Sequence, residues 1–259
     1  MVNNAYGLQC SKITNDLNQA HKQGRLDVLI SSTDKNFMVP VGGSIVYGPQ
    51  KKHLIEKINK FYPGRASAGP LMDLFLTFLQ MGENNLRRLL AERKQNYAYL
   101  KEQLQGVAAK HNERVLETPG NKISIACTLT ALNNSVFKPN GIKATYFGSY
   151  LFSRRVSGVR VIDSSEGKLQ SIASPEGCQF VNYGSHCNDY PALPFFTAAA
   201  AIGQTKAEID LFIGRLDDAF TKFRAQQPDV MADIGIQLGP AIQEQEESKQ
   251  DQSAAASEP

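Results

Sequence analysis

The sequence contains no tryptophan, and it has only four cysteines and four histidines among its 259 residues. The cysteines form no CxxC pair and the histidines form no HxxxH or HExxH pattern, so we predict no metal site. Scattered cysteines in a chain of this length are typical of free thiols in a reducing compartment. The adjacent pair His186 and Cys187 admits a metal or thiol site, but a polar loop beside Pro191 is the favoured interpretation.

Long apolar runs are also absent. The longest stretch of small and apolar residues, 195–203, is too short to cross a bilayer, so we expect no membrane insertion. The first residues show no charged start followed by an apolar segment, and no secretory signal is therefore expected. Together with the scattered thiols, these absences predict a cytoplasmic protein.

Neither sign of charge dominates, since 28 Lys and Arg oppose 25 Asp and Glu to give a net charge of +3. The segment from residue 243 onward is polar and acidic, so the rest of the chain is more basic than this average. A local phosphate-binding patch is compatible with that balance, although a solvated surface without a partner explains it as well.

Strands and helices alternate along the chain, which predicts an α/β fold in two parts. Residues 1–118 are expected to form the end of a larger sheet domain with a long helix, residues 119–238 a small C-terminal αβ domain, and residues 239–259 a disordered acidic tail. Strands are predicted over 26–32, 44–47, 123–132, 156–161 and 179–183, and helices over 8–22, 49–61, 71–80, 83–111, 144–152, 192–202 and 206–224. Asn4 is the predicted N-cap of the first helix.

Lys35 is the residue whose position points to chemistry. It follows a predicted buried strand in a short turn and precedes an apolar segment that ends in Gly42 and Gly43. A lysine becomes a nucleophile where burial or cationic neighbours lower its pKa, and glycines let the backbone approach a bound ring or phosphate. This arrangement suits a lysine that binds pyridoxal phosphate, although a lysine in a turn is commonly a surface residue.

Longer strings add a family resemblance that extends from about residue 2 to residue 224. The strings are VNNAYG (2–7), DKNFMVPVGG (34–43), YPGRASA (62–68), ERKQNYAYL (92–100), LFSRRVSGVRV (151–161) and DLFIGRLD (210–217). In this order they resemble the C-terminal half of the O-phosphoseryl-tRNA(Sec) selenium transferases, a family of fold-type I pyridoxal phosphate enzymes. The first three strings are the most specific.

The resemblance implies roles for five residues. Lys35 matches the lysine that binds pyridoxal 5'-phosphate covalently, and Asn3 matches an asparagine near the cofactor ring. Arg65 matches the arginine that holds the substrate's phosphoseryl phosphate, a task that suits a guanidinium fork. Arg154 matches a tRNA-contacting arginine, and Lys22 occupies the position of a second one, where it keeps the charge and loses the bidentate fork.

The resemblance also implies a reaction and its partners. Phosphate leaves the phosphoserine carried by tRNA(Sec), selenium from selenophosphate takes its place, and the enzyme is a homotetramer with active sites at dimer interfaces. Only the C-terminal half of the family is matched. The half that cups the cofactor phosphate has no counterpart here, and we expect the chain alone to be inactive.

Two alternatives remain at this stage. One is a non-catalytic tRNA-binding fragment that keeps Arg154 and Lys22 without turnover. The other is a related pyridoxal phosphate enzyme acting on phosphoseryl-tRNA. The YPGRASA and SRRVSGVR strings favour the selenium transferase over the latter.

Overall fold

The computed structural model describes residues 1–48, 52–64, 67–163, 171–173, 177, 179–181 and 193–225. The strands are β1 (Val2–Asn3), β2 (Leu29–Ser32), β3 (Ser44–Tyr47), β4 (Val115–Leu116), β5 (Ser124–Thr128), β6 (Arg160–Asp163), β7 (Ser171–Ala173), β8 (Gln179–Val181) and β9 (Pro194–Ala199). The helices are α1 (Ser11–Gln23), α2 (Thr33–Phe37), α3 (Lys52–Phe61), α4 (Gly69–Lys110), α5 (Thr130–Leu132), α6 (Thr145–Ser153) and α7 (Lys206–Arg224). The predicted α/β class is confirmed.

The first sheet contains three strands in the order β1-β2-β3. β1 runs parallel to β2 and places Asn3 beside Ile30, whereas β3 runs antiparallel to β2 and places Ser44 beside Ser32. Since β1 and β2 are parallel, their carboxyl ends meet at the same edge of the sheet. In α/β folds, ligands bind at this edge.

The second sheet contains four antiparallel strands in the order β4-β5-β9-β6, with β9 between β5 and β6. The helix predicted over 192–202 is therefore wrong. Burial alternates along β9, with Pro194, Phe196 and Ala198 buried and the residues between them more exposed. The alanines after Thr197 favour a helix locally, but pairing on both sides in the sheet outweighs that preference.

We call the second sheet, together with the helices packed on it, the second unit. The main core belongs to this unit. All members of this buried cluster lie between Leu100 and Phe223, on α4, the sheet, α5 and the turn after it, α6 and the loops at its ends, and α7. Phe147 is fully buried at its centre, with ring centroids 5.0 Å from Phe220, 5.4 Å from Phe223 and 6.3 Å from Phe196. Tilted and edge-to-face aromatic pairs of this kind add to the stabilisation from burial.

Helix α4 consists of two segments that differ in environment. Gly82 separates them with φ 64° and ψ 169°, which confirms the break predicted between residues 80 and 83. The second segment packs into the core, whereas the first carries large apolar side chains that are 41% to 68% exposed. We call these residues the apolar face of α4: Leu71, Met72, Phe75, Leu76, Phe78 and Leu79.

None of the helices among the described residues combines the length and the apolar composition needed to cross a membrane.

Candidate functional site

Lys35 lies in α2, directly after β2, at the edge where β1 and β2 both end. The turn predicted here is a short helix, which ends at Met38 in a left-handed conformation with φ 57°. The Lys35 side chain is 50% exposed, and its Nζ lies 3.6 Å from Asp34 Oδ2. The amine is thus accessible to a ligand, with a carboxylate beside it.

Asp34 supplies the negative charge at this site. A hydrogen bond from the Ser32 hydroxyl lowers the pKa of Asp34, and the Lys35 charge acts in the same direction, while burial opposes both. Asp34 is therefore ionised at neutral pH, and the site pairs an accessible amine with a fixed anion.

Two amide side chains support the backbone on either side of Lys35. Gln9 Nε2 donates to the Lys35 carbonyl at 2.8 Å, and Asn36 Nδ2 donates to the carbonyls of Ala5 at 2.8 Å and Ser32 at 2.6 Å. Their amide oxygens, Gln9 Oε1 and Asn36 Oδ1, are buried and have no hydrogen-bond partner among the described residues. Through the donated bonds, both amides fix the backbone around Lys35, and sequence reasoning missed both residues.

Adjacent asparagines on β1 and just after it face opposite ways. Asn3 is exposed, and its Oδ1 accepts a hydrogen bond from the Ala5 amide at 3.2 Å. Asn4 is buried, and its Nδ2 donates to the Tyr47 hydroxyl at 3.0 Å. The helix cap predicted at Asn4 is therefore wrong, since α1 begins only at Ser11.

The glycines after α2 also serve the packing and the turn of the chain itself. A Cβ on Gly43 would lie 2.7 Å from Thr33 Oγ1, and Thr33 donates to the Gly43 carbonyl from both its amide (3.0 Å) and its hydroxyl (2.9 Å). Gly43 therefore allows the chain to pack against α2. Gly42, with φ 142° and nothing near its Cβ position, provides the turn.

The described residues fit pyridoxal phosphate at its aldehyde end. Lys35 offers an accessible amine at this edge, Asn3 shares the edge, and the Gln9 amide holds the Lys35 backbone. Contacts from the second unit hold this edge in place. The Tyr6 hydroxyl lies 3.1 Å from Ser124 Oγ, and a Cβ on Gly203 would lie 2.9 Å from Met38 Cε.

The other predicted site residues lie apart from Lys35 in the fold. Lys22 is exposed in the last turn of α1, about 17 Å along the helix from its start at Ser11. Arg154 lies at the end of α6 in the second unit. Arg65 lies outside the described residues. The structure thus brings Asn3 and Lys35 to one edge, and the roles of all five residues stay predictions.

Arg154 packs against the protein. It is half-buried, and its guanidinium carbon lies 5.0 Å from the centroid of the buried Tyr150 ring, a cation–π arrangement. The next residue, Arg155, is exposed and adopts a left-handed backbone conformation with φ 63°. Two consecutive arginines therefore differ in their freedom to reach a ligand.

Comparison with known proteins places this architecture in a family. Residues 1–221 match the family model described as O-phosphoseryl-tRNA(Sec) selenium transferase, SepSecS. The O-phosphoseryl-tRNA(Sec) selenium transferase of Dictyostelium discoideum is 47% identical, over 86% of this chain and 47% of the relative. That of Caenorhabditis briggsae is 38% identical, over 87% of this chain and 44% of the relative.

A solved structure agrees with these matches. The crystal structure of an archaeal O-phosphoseryl-tRNA(Sec) selenium transferase superposes with a TM-score of 0.63 at 25% sequence identity. It covers 83% of this chain and 43% of the archaeal chain. The chain spans about half the length of the curated relatives it matches. From the family match, the sequence identity and the shared fold, we conclude that the chain belongs to the O-phosphoseryl-tRNA(Sec) selenium transferase family.

Proposed function

We propose that the protein acts in selenocysteine biosynthesis and uses pyridoxal phosphate to convert O-phosphoseryl-tRNA(Sec) to selenocysteinyl-tRNA(Sec) with selenophosphate. We further propose that it does so in the cytoplasm as a homotetramer. The observation that carries the proposal is the family match over residues 1–221, which includes the edge where Lys35 follows β2. The accessible amine and the adjacent carboxylate support it.

Each residue near this edge has its own proposed role in the reaction. Lys35 would hold pyridoxal phosphate through Nζ, and the same Nζ, when free, would accept the Cα proton of phosphoserine. Asp34, with its carboxylate 3.6 Å away, stabilises the resulting ammonium. Bound pyridoxal phosphate supplies an electron sink for the pair left on Cα. Asn3 would lie near the cofactor ring, and Arg65 would bind the phosphate that leaves from Cβ.

Arg154 and Lys22 belong to the tRNA-binding part of the proposal. Both carry the positive charge that phosphate contacts require. Lys22 is exposed in the last turn of α1, so it can meet a backbone phosphate as a point charge.

Turnover is proposed for a protein with the family's full length. The chain spans 47% of the Dictyostelium relative. The apolar face of α4, exposed here, offers the surface on which further parts of the family fold can pack.

The test compares Lys35→Ala with Lys12→Ala, an exposed lysine that is ion-paired with Asp16 on α1. Each variant is mixed with pyridoxal phosphate, reduced with borohydride and mapped by mass spectrometry. We expect the reduced adduct on Lys35 in the unchanged chain and in Lys12→Ala, and its loss in Lys35→Ala. Formation of selenocysteinyl-tRNA is then measured after adding, as a separate protein, the part of the Dictyostelium relative that this chain does not match.

Three results would contradict the proposal. An adduct at another lysine would show that the assignment of Lys35 is wrong. Full turnover by Lys35→Ala would show that the amine takes no part. Binding of tRNA without any adduct would favour the non-catalytic alternative.

A further inference from the structure

A cavity of about 530 Å³ opens in the second unit; Lys35 does not line it, although Gly203 on its wall packs against Met38 after α2. Residues 155–159, the turn after β9 and one side of α7 form its walls. Leu100, Val159 and Phe212 contribute apolar surface, and Arg155, Ser157 and Arg215 contribute polar surface. The cavity is thus apolar in one part and cationic in another.

Two arginines give the cavity its charge. Arg215 Nη1 donates to the Arg155 carbonyl at 3.1 Å, so the α7 arginine supports the backbone of the loop arginine. Among the described residues, neither guanidinium forms an ion pair with a carboxylate. Arg155 also has a backbone conformation that is uncommon for a residue other than glycine, with φ 63°. This conformation ends α6, since the Arg155 amide donates to the Phe152 carbonyl at 2.9 Å and the Val156 amide donates to the Leu151 carbonyl at 2.9 Å.

Glu208, the acidic residue that lines the cavity, already accepts hydrogen bonds from Thr205. Glu208 Oε2 accepts hydrogen bonds from the Thr205 amide at 2.7 Å and from the Thr205 hydroxyl at 2.9 Å. These bonds form the capping box at the start of α7, so this carboxylate is turned to the helix end. It leaves the charge of Arg155 and Arg215 available to an anion.

We propose that this cavity binds one nucleotide of RNA, with its phosphate on Arg155 and Arg215 and its base or ribose against Phe212 and Val159. The inference rests on the proposed function, because tRNA is the RNA that a selenium transferase carries. It differs from the sequence prediction, since Arg154 packs on Tyr150 while its neighbour Arg155 lines the cavity.

The shape and chemistry of the cavity favour a nucleotide over a bare anion. A volume of about 530 Å³ is in the range of pockets that hold small organic ligands and is far larger than one phosphate requires. Guanidinium forks match phosphate oxygens, and apolar or aromatic surface accepts the face of a base.

The test measures binding of a fluorescent tRNA and of a single-stranded RNA by anisotropy at several salt concentrations, without cofactor. We expect Arg155→Gly and Arg215→Ala each to weaken RNA binding by roughly tenfold or more, and to lower the salt dependence by about one counterion. Arg88→Ala on α4 removes the same charge from an exposed ion pair with Glu92 and should change binding less than about twofold.

The glycine variant separates binding from folding. Because glycine accepts a positive φ without strain, Arg155→Gly should unfold at the same or a higher temperature while it loses affinity for RNA. Arg155→Lys keeps the charge and should recover part of the affinity.

Three outcomes would overturn the proposal. One is a chain that binds no RNA at low salt, and another is RNA binding that neither arginine variant changes. The third is loss of adenosine monophosphate binding in these variants with RNA binding intact, which would assign the cavity to free nucleotides. None of these measurements involves Lys35 or turnover, so they leave the proposed activity to its own test.

Discussion

The two sheets of this chain are stabilised in opposite ways. Around the second sheet, an aromatic core is fully buried and every member of the main cluster lies between Leu100 and Phe223. Around the first sheet, the buried apolar side chains are aliphatic or thiol, such as Leu29, and polar ones such as Ser31 and Asn36 are buried among them, while large apolar side chains on the nearby first segment of α4 stay exposed. The second unit carries its own core, whereas the first holds reactive groups and relies on its neighbours for stability.

The largest effect is expected from the core of the second unit. Phe147→Ala should lower the free energy of unfolding by about 3–5 kcal/mol, because it removes a fully buried ring that contacts three other phenylalanines. Chemical denaturation followed by circular dichroism measures the change. Phe152→Ala is the matched control, since Phe152 is 70% exposed on the same helix. An equal loss in both variants would contradict the comparison.

A smaller effect on stability is expected at Gly82, where the exposed first segment of α4 meets the buried second segment. Gly82 has φ 64° and ψ 169°, a conformation essentially restricted to glycine, so Gly82→Ala should cost about 1–3 kcal/mol. Gly106 lies later in the same helix with no atom near its Cβ position. Gly106→Ala should instead stabilise the helix by up to about 1 kcal/mol. Thermal unfolding of the pair gives opposite shifts, and shifts of the same sign would be the contrary result.

Acid should weaken the second unit through Asp217, which joins α4 to α7. Burial opposes its ionisation, but hydrogen bonds from Lys110 (2.6 Å) and His111 (2.7 Å) lower the pKa of Asp217 below its ordinary value. A lowered pKa stabilises the fold above the unfolded value, and this contribution is lost as the pH falls through the folded value. Asp217→Asn should therefore lower the free energy of unfolding by about 1 kcal/mol at pH 7. It should also flatten the acid limb of the stability profile, which is the fall in that free energy as the pH decreases. Asp218→Asn, on the exposed side of α7, should leave that limb in place.

The smallest effect on stability is expected at the apolar face of α4. Phe75→Ser combined with Leu76→Ser should change the free energy of unfolding by less than about 0.5 kcal/mol per residue, because both side chains are already more than half exposed. The same double variant should bind less of a hydrophobic dye and elute later in size-exclusion chromatography. Unchanged elution and dye binding would mean that the face makes no contact in solution.

Local signals predicted much of this fold. Gly82 and the apolar periodicity on either side of it predicted both segments of α4 and the break between them. The predicted strand before Lys35 is present as β2, and only the following turn differs, since it forms the short helix α2.

The errors arise where distant parts of the chain decide the outcome. The alanines of β9 favour a helix until β5 and β6 pair on either side of that strand. Asn4 looks like a helix cap until Tyr47, far along the chain, accepts its hydrogen bond.

The candidate site also combines residues that local sequence could identify with residues that depend on distant contacts. Lys35 could be recognised from its place after a strand and from the strings around it, because both are local. Gln9 and Asn36 could not, since their importance depends on which carbonyls the folded chain brings within hydrogen-bond distance. The contrast between Arg154 and Arg155 also needs the folded backbone, because only the conformation at Arg155 separates two adjacent and chemically identical side chains.

The position of β9 has a consequence for synthesis on the ribosome. β5 and β6 are made well before β9, yet neither contacts the other except through that strand. Until residues 194–199 leave the exit tunnel, the second sheet can pair only β4 with β5, and β6 has no partner in that sheet. Pairing of segments so distant in sequence is slow, which leaves apolar strand edges open in the meantime. Chaperone binding should therefore be strongest on nascent chains that end just before β9 and should fall once β9 has emerged.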